Sequence, residues 1–221
     1  FGHRGVGRCR GHALITQKMS MLAQFEKGSR CNLEEEACLT SYKEKIDEIT
    51  NFKTVTFNGF NNLFELSSEP RLKRYLRHLV SMTSHRYRAV QGYMAIRPHT
   101  SEQMNMFVEL TRRVENSQLP YVGVLGKLTG AHALLIYKKE FFDGKTILCA
   151  RDPNFKTESV ESCENYFFHE EGKVYFKRLN KPADFMSAFK ITSDEDDRTK
   201  KYITSLKNKC IANSLAARLC K

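Results

Sequence analysis

Cys9, His132 and Asp152 are the residues whose types and settings point to chemistry. Cys9 follows Gly5 and Gly7 in "FGHRGVGRCRGH", where helical spacing begins. A helix N-terminus there would help a thiol ionise. His132 falls in the apolar run "GHALLIY", and Asp152 closes the next run in "CARDPNF". A thiolate nucleophile needs a base within hydrogen-bond reach. It also needs a third group that holds that base in one tautomer. Cys9, His132 and Asp152 can fill these roles in that order. Taken singly, each has a plainer reading: an incidental helix-start thiol, a satisfied core histidine, and an Asp-Pro-Asn turn. Their order and flanks together favour catalysis.

The elements that must position them are legible from periodicity. Apolar residues at Leu14, Ile15, Met19, Leu22 and Phe25 predict a helix from Cys9 or Arg10 to Lys27, stopped by Gly28. A second helix is expected over 33–50 with Asn32 as its cap. Residues 69–90 read as a basic helix. Residues 101–116 read as another, with Thr100 or Ser101 capping and Met104, Phe107, Val108 and Leu110 inward. After Pro120 the texture changes. Strands are expected at 121–126, 131–138, 146–152, 164–169 and 173–179, joined by Gly- or Asp-containing turns. Asp143-Gly144 marks a two-residue hairpin in which paired residue numbers sum to about 287. His132 and Asp152 would then be offset by about three residues, on the order of 10 Å. A short helix at 182–189, a solvated charge run "SDEDDRTKK" and a last helix over 200–217 complete the reading.

Helices first and antiparallel strands second give an α+β class. The 221 residues suffice for one large domain. Within it, 1–28 would carry the Cys loop and helix, and 29–120 a helical subdomain. The sheet with His and Asp would span 121–180, and a C-terminal helical segment 181–221.

The net charge of +11 favours acidic partners such as nucleic acid, anionic lipid or an acidic protein face. Arg71, Lys73, Arg74, Arg77, Arg86 and Arg88, interleaved with Tyr75 and Tyr87, are the basic docking candidates. The plainer reading is a solvated helix face. No KH loop or RRM signature occurs, so sequence-specific nucleic-acid binding is not expected. The seven cysteines are odd in number, irregularly spaced and lack a CxxC pair. A reducing, cytosolic setting is therefore expected, with Cys149 a buried inert thiol and Cys31 an exposed loop thiol. Cys9 and His12 have CxxH spacing, but two further ligands are missing, so neither a metal nor another cofactor is expected. No run approaches the roughly 20 apolar residues of a membrane span, and no signal peptide is visible.

"GxCxG" opening a helix, "GHALLIY" on a strand and "RDPNF" ending the next resemble papain-like cysteine peptidases. They are most similar to the YopT/AvrPphB type of bacterial effector protease. The matched motifs cover about 40 residues in three patches. The resemblance implies a papain-like fold, with the Cys helix packed on an antiparallel sheet and a helical insertion. It makes Cys9 the nucleophile, His132 the base and Asp152 the orienter. The family's oxyanion amide side chain falls at His3, a histidine rather than Gln, beside the backbone N–H of Cys9. Asn154 and His12 are supporting candidates near the site. The implied function is a protease or deubiquitinase-like hydrolase acting on a host protein or ubiquitin conjugate, secreted into the host cell without a cleavable signal peptide. The same triad would also serve a glutamine deamidase or transglutaminase. A reading from a different class is a non-enzymatic basic module.

Overall fold

A computed structural model of the chain describes residues 8–86, 100–127, 130–152 and 162–191. All belong to one compact unit that ends at Ile191. The charge run and the helix expected over 200–217 lie outside the described residues.

Helix α1 (Cys9–Leu22) buries Ala13, Leu14, Ile15, Met19 and Leu22, one apolar face at helical spacing. It ends before the expected Lys27. Residues Ala23–Glu26 instead form strand β1, paired in parallel with β2 (Val55–Asn58). Phe25 stacks on Phe57 at 5.7 Å, so its burial is satisfied by a strand partner rather than by another helical turn. Helix α2 (Glu36–Thr50) starts three residues later than expected, after Glu35. Asn32 does not cap it. The Asn32 side chain accepts from the Glu34 backbone N–H, an Asx turn inside the preceding loop. Helix α3 (Leu63–Ser68) is capped by Asn62, which accepts from the Glu65 N–H. Helix α4 (Pro70–Arg86) begins with proline, whose fixed φ and missing N–H suit a first helical position. Its Leu72, Leu76 and Val80 are buried, and it packs on α1.

Helix α5 (Thr100–Glu115) covers the strand half of the molecule. Phe107 and Leu110 are buried as expected, but Met104 and Val108 are 38% and 53% exposed. The inward stripe runs through Gln103 instead, with Met106 and Val114 packed beside it. The Gln103 amide donates to the Met186 carbonyl and accepts from the Val174 N–H. A buried polar residue with both ends satisfied thus ties the helix to two strands.

Strands β3 (Tyr121–Gly126), β4 (Gly130–Phe142), β5 (Lys145–Arg151), β6 (Tyr166–Glu170), β7 (Lys173–Lys177) and β8 (Asp184–Ile191) pair antiparallel in chain order. β8 then closes against β3, so the antiparallel sheet is a closed six-stranded barrel. The helix expected at 182–189 is overturned: Asp184–Ile191 is the closing strand. A short apolar run fits either period, and the unpaired edges of β3 and β7 decide it as strand. Val122, Val124, Leu134, Ile136, Leu148, Phe167, Phe176 and Met186 fill the barrel together with Phe107 and Leu110 of α5.

Candidate active site

The β4–β5 hairpin turns at Asp143 and Gly144, both at positive φ, as a type I′ connection requires. The pairs Phe142↔Lys145 to Lys138↔Cys149 follow the expected sum of 287. A bulge then intervenes, and the ladder resumes as Ile136↔Ala150 and Leu135↔Arg151. One more step places Asp152 opposite Leu134. The bulge therefore cuts the offset between His132 and Asp152 to two residues along one face, a diagonal of about 7–8 Å that side chains can span. The two groups meet: His132 Nε2 lies 2.6 Å from Asp152 Oδ1. A carboxylate only accepts, so the Nε2–H donates and Nδ1 is left to work with a nucleophile.

Cys9 is the first residue of α1, as the sequence predicts. The helix lies on the outer face of β3 and β4, where Ala13 and Leu14 pack with Tyr121, Ala133 and Leu135. The Gln17 amide also donates to the Leu119 carbonyl just before β3, fixing the helix along its length. Helix and strand together hold the Cys9 sulfur against the His132 ring and the backbone N–H groups of Ala133 and Arg10. No acidic side chain occupies the first turn of α1, so nothing competes with a thiolate there.

The electrostatics suit an ion pair. Burial works to push the Cys9 thiol up, but the His132 hydrogen bond and charge and the two N–H groups outweigh it. The thiol pKa falls below its usual 9.0. Burial likewise works to lower His132. Its hydrogen bonds to Asp152 and Cys9, and their charges, prevail and raise it to about 9. His12, one turn along α1 from Cys9, is lowered to about 4, first by burial and then by positive neighbours including Arg151. It stays neutral beside the pair, with Nδ1 3.4 Å from Thr16 Oγ1.

Arg178, just beyond β7, was not among the sequence candidates. Its Nε lies 3.4 Å from Asp152 Oδ2, on the oxygen that His132 does not use. No local motif marks it. It becomes visible only when β5, β6 and β7 pair and the ends of β5 and β7 reach one rim.

The remaining candidates divide. His3, Asn154 and Arg88 lie outside the described residues, as does the Arg86 side chain. Arg71 pairs with Glu34 and Glu36 and donates to the Leu33 carbonyl, so it ties α4 to the start of α2. Lys73, Arg74 and Arg77 remain on α4. Two readings of the cysteines are corrected. Cys31 is bonded to Cys38, and Cys149 to Cys163, so neither Cys31 nor Cys149 is a thiol. Cys9 is the free cysteine among the described residues; Cys210 and Cys220 lie outside them. Glu140, Cys149 and Cys163 are close enough for a metal, but both sulfurs are already bonded to each other.

The Cys149–Cys163 bridge closes a segment of sequence separation 14 that contains Asp152. Replacing both cysteines with alanine is expected to cost about 3 kcal/mol by loop-closure entropy. Urea titration checks this: reductant should lower the wild-type midpoint more than that of the double variant, in which only the Cys31–Cys38 bridge is left to reduce.

No protein-family model, no curated protein and no solved structure matches this chain.

Proposed function

We propose that the chain is a cysteine-dependent acyl-transfer enzyme, foremost a papain-like peptidase or deubiquitinase-like hydrolase. The observation that carries this reading is the contact chain from Cys9 through His132 to Asp152, formed by residues 123 and 143 positions downstream of the cysteine.

In this reading the Cys9 thiolate attacks a carbonyl carbon. The oxyanion that forms accepts a hydrogen bond from the Cys9 backbone N–H at the helix start. The His132 imidazolium gives its Nδ1 proton to the leaving amine, and a thioester remains on Cys9. Neutral His132 then takes a proton from water, which attacks the thioester carbonyl. Cys9 leaves as thiolate, and the imidazolium is restored. Asp152 keeps the ring in one tautomer throughout. The substrate is a protein or a protein conjugate. The two disulfides fit an oxidising compartment better than the reducing cytosol first expected. Among the described residues no helix is long and apolar enough to cross a membrane.

Limiting iodoacetamide at pH 6, read by mass spectrometry, tests the reading. Modification should concentrate on Cys9 and fall about tenfold or more in His132→Ala. A parallel ubiquitin vinyl-sulfone probe separates a deubiquitinase from a peptidase of other specificity. If Cys9 reacts no faster than Cys210 or Cys220, the chain is not such an enzyme. The basic face of α4 is then the place to look for a binding function.

A further inference from the structure

We infer that Arg178 is a positioning residue, holding Asp152 so that its other oxygen serves His132. The inference rests on the triad reading and deepens it.

Asp152 is fully buried, and a carboxylate removed from water needs each oxygen satisfied. Its Oδ1 takes the His132 Nε2–H at 2.6 Å, and Oδ2 faces the Arg178 Nε at 3.4 Å. The arginine stem is itself fixed, with the guanidinium carbon 5.4 Å from the Phe176 ring centroid and the side chain 19% exposed. The contact has two consequences. The ion pair at Oδ2 favours the carboxylate orientation that leaves Oδ1 to His132. And a permanent positive charge stands two contacts from the imidazole, balancing the aspartate's pull on it.

Other charged or titratable groups gather around this rim: Arg10 and His12 on α1, Lys127 after β3, Arg151 on β5, Glu164 before β6 and Asp184 opening β8. Arg178 is the one whose guanidinium Nε lies 3.4 Å from the carboxylate oxygen that His132 does not use. Removing a fixed positive charge raises every nearby pKa. Without it the Cys9 thiol and the His132 imidazolium should both titrate higher. An arginine whose charge is not felt at the triad would lower stability on removal without moving either midpoint.

The test is the rate of Cys9 alkylation by iodoacetamide against pH, for wild type, Arg178→Met and Arg178→Lys. Methionine keeps an apolar stem over Phe176, and lysine keeps the charge. Arg178→Met should move the alkylation midpoint up by about half a pH unit. At a pH below the midpoint that shift should slow the reaction about threefold. Arg178→Lys should return the midpoint to the wild-type value. An Arg178→Met midpoint equal to wild type, in protein whose circular dichroism and melt show a folded state, overturns the inference. So does a shift that lysine fails to correct. A wild-type Cys9 with an ordinary thiol midpoint would instead overturn the triad reading itself.

Discussion

Asp152→Asn should lower kcat/KM on a peptide or ubiquitin-conjugate substrate by about 10⁴-fold, as loss of the correct imidazole tautomer does in related chemistry. The reason is specific to this site. Asparagine offers one carbonyl oxygen where aspartate offered two. Arg178 can only donate and is always charged, so the Asn oxygen turns to it. The amide NH₂ is then aimed at His132 Nε2, at the place of the present 2.6 Å bond. That nitrogen must become an acceptor, and the ring proton moves to Nδ1. A ring protonated there cannot take the Cys9 proton. The double variant Asp152→Asn/Arg178→Met releases the amide to rotate and should recover part of the loss. His132→Ala should cost as much as Asp152→Asn or more, and adding Asp152→Asn to it should cost little further, because residues acting as a unit are not additive. Steady-state kinetics on the four variants checks the pattern. A small Asp152→Asn effect, or equal additive losses, would show that the aspartate does not set the tautomer.

How much of this was legible in the sequence depended on the range of the interaction. Cys9 could be placed at a helix start because apolar spacing and preceding glycines are local signals. The hairpin at Asp143-Gly144 and most of its register followed from turn chemistry. The bulge between Ile136 and Lys138 did not, although it brings His132 within reach of Asp152. A bulge is selected by how the barrel curves, which no short window of sequence records. The same holds for β8, whose strand state is set in part by the distant edge of β3, and for β1, set by Phe57. Arg178 is the clearest case. Its role exists only once β5, β6 and β7 have paired. The disulfides were missed for a different reason. An odd cysteine count argued against pairing, yet pairing needs only two sulfurs to be close, and Cys9 is free among the described residues.

Two histidines should give the folded protein opposite pH responses, and His12→Gln should separate them. His12 is lowered from 6.5 to about 4 by burial first and by Arg151 and other positive charges next. Unfolded, it binds a proton below pH 6.5; folded, it resists until about pH 4. Its contribution is therefore present above pH 6.5 and is lost as pH falls toward 4, up to about 3 kcal/mol. His132 is raised to about 9, against the effect of burial, by Asp152 and Cys9. Its contribution is full below pH 6.5 and is lost as pH rises through 9. The lowered Cys9 thiol offsets part of that alkaline loss, because the folded state sheds its proton first. Stability should thus decline on the acid side chiefly through His12 until the carboxylates titrate. Glutamine cannot charge and can still bond Thr16. Urea denaturation at pH 7, 6 and 5 should show a wild-type decline that His12→Gln largely removes, with a Cys9→Ala background excluding thiol chemistry during the measurement. An unchanged slope in His12→Gln would mean that this histidine titrates in the fold as it does unfolded and is charged below about pH 6.5. In that case a second positive charge stands beside the His132 imidazolium, and the thiolate of Cys9 has one more counter-charge than the triad alone supplies.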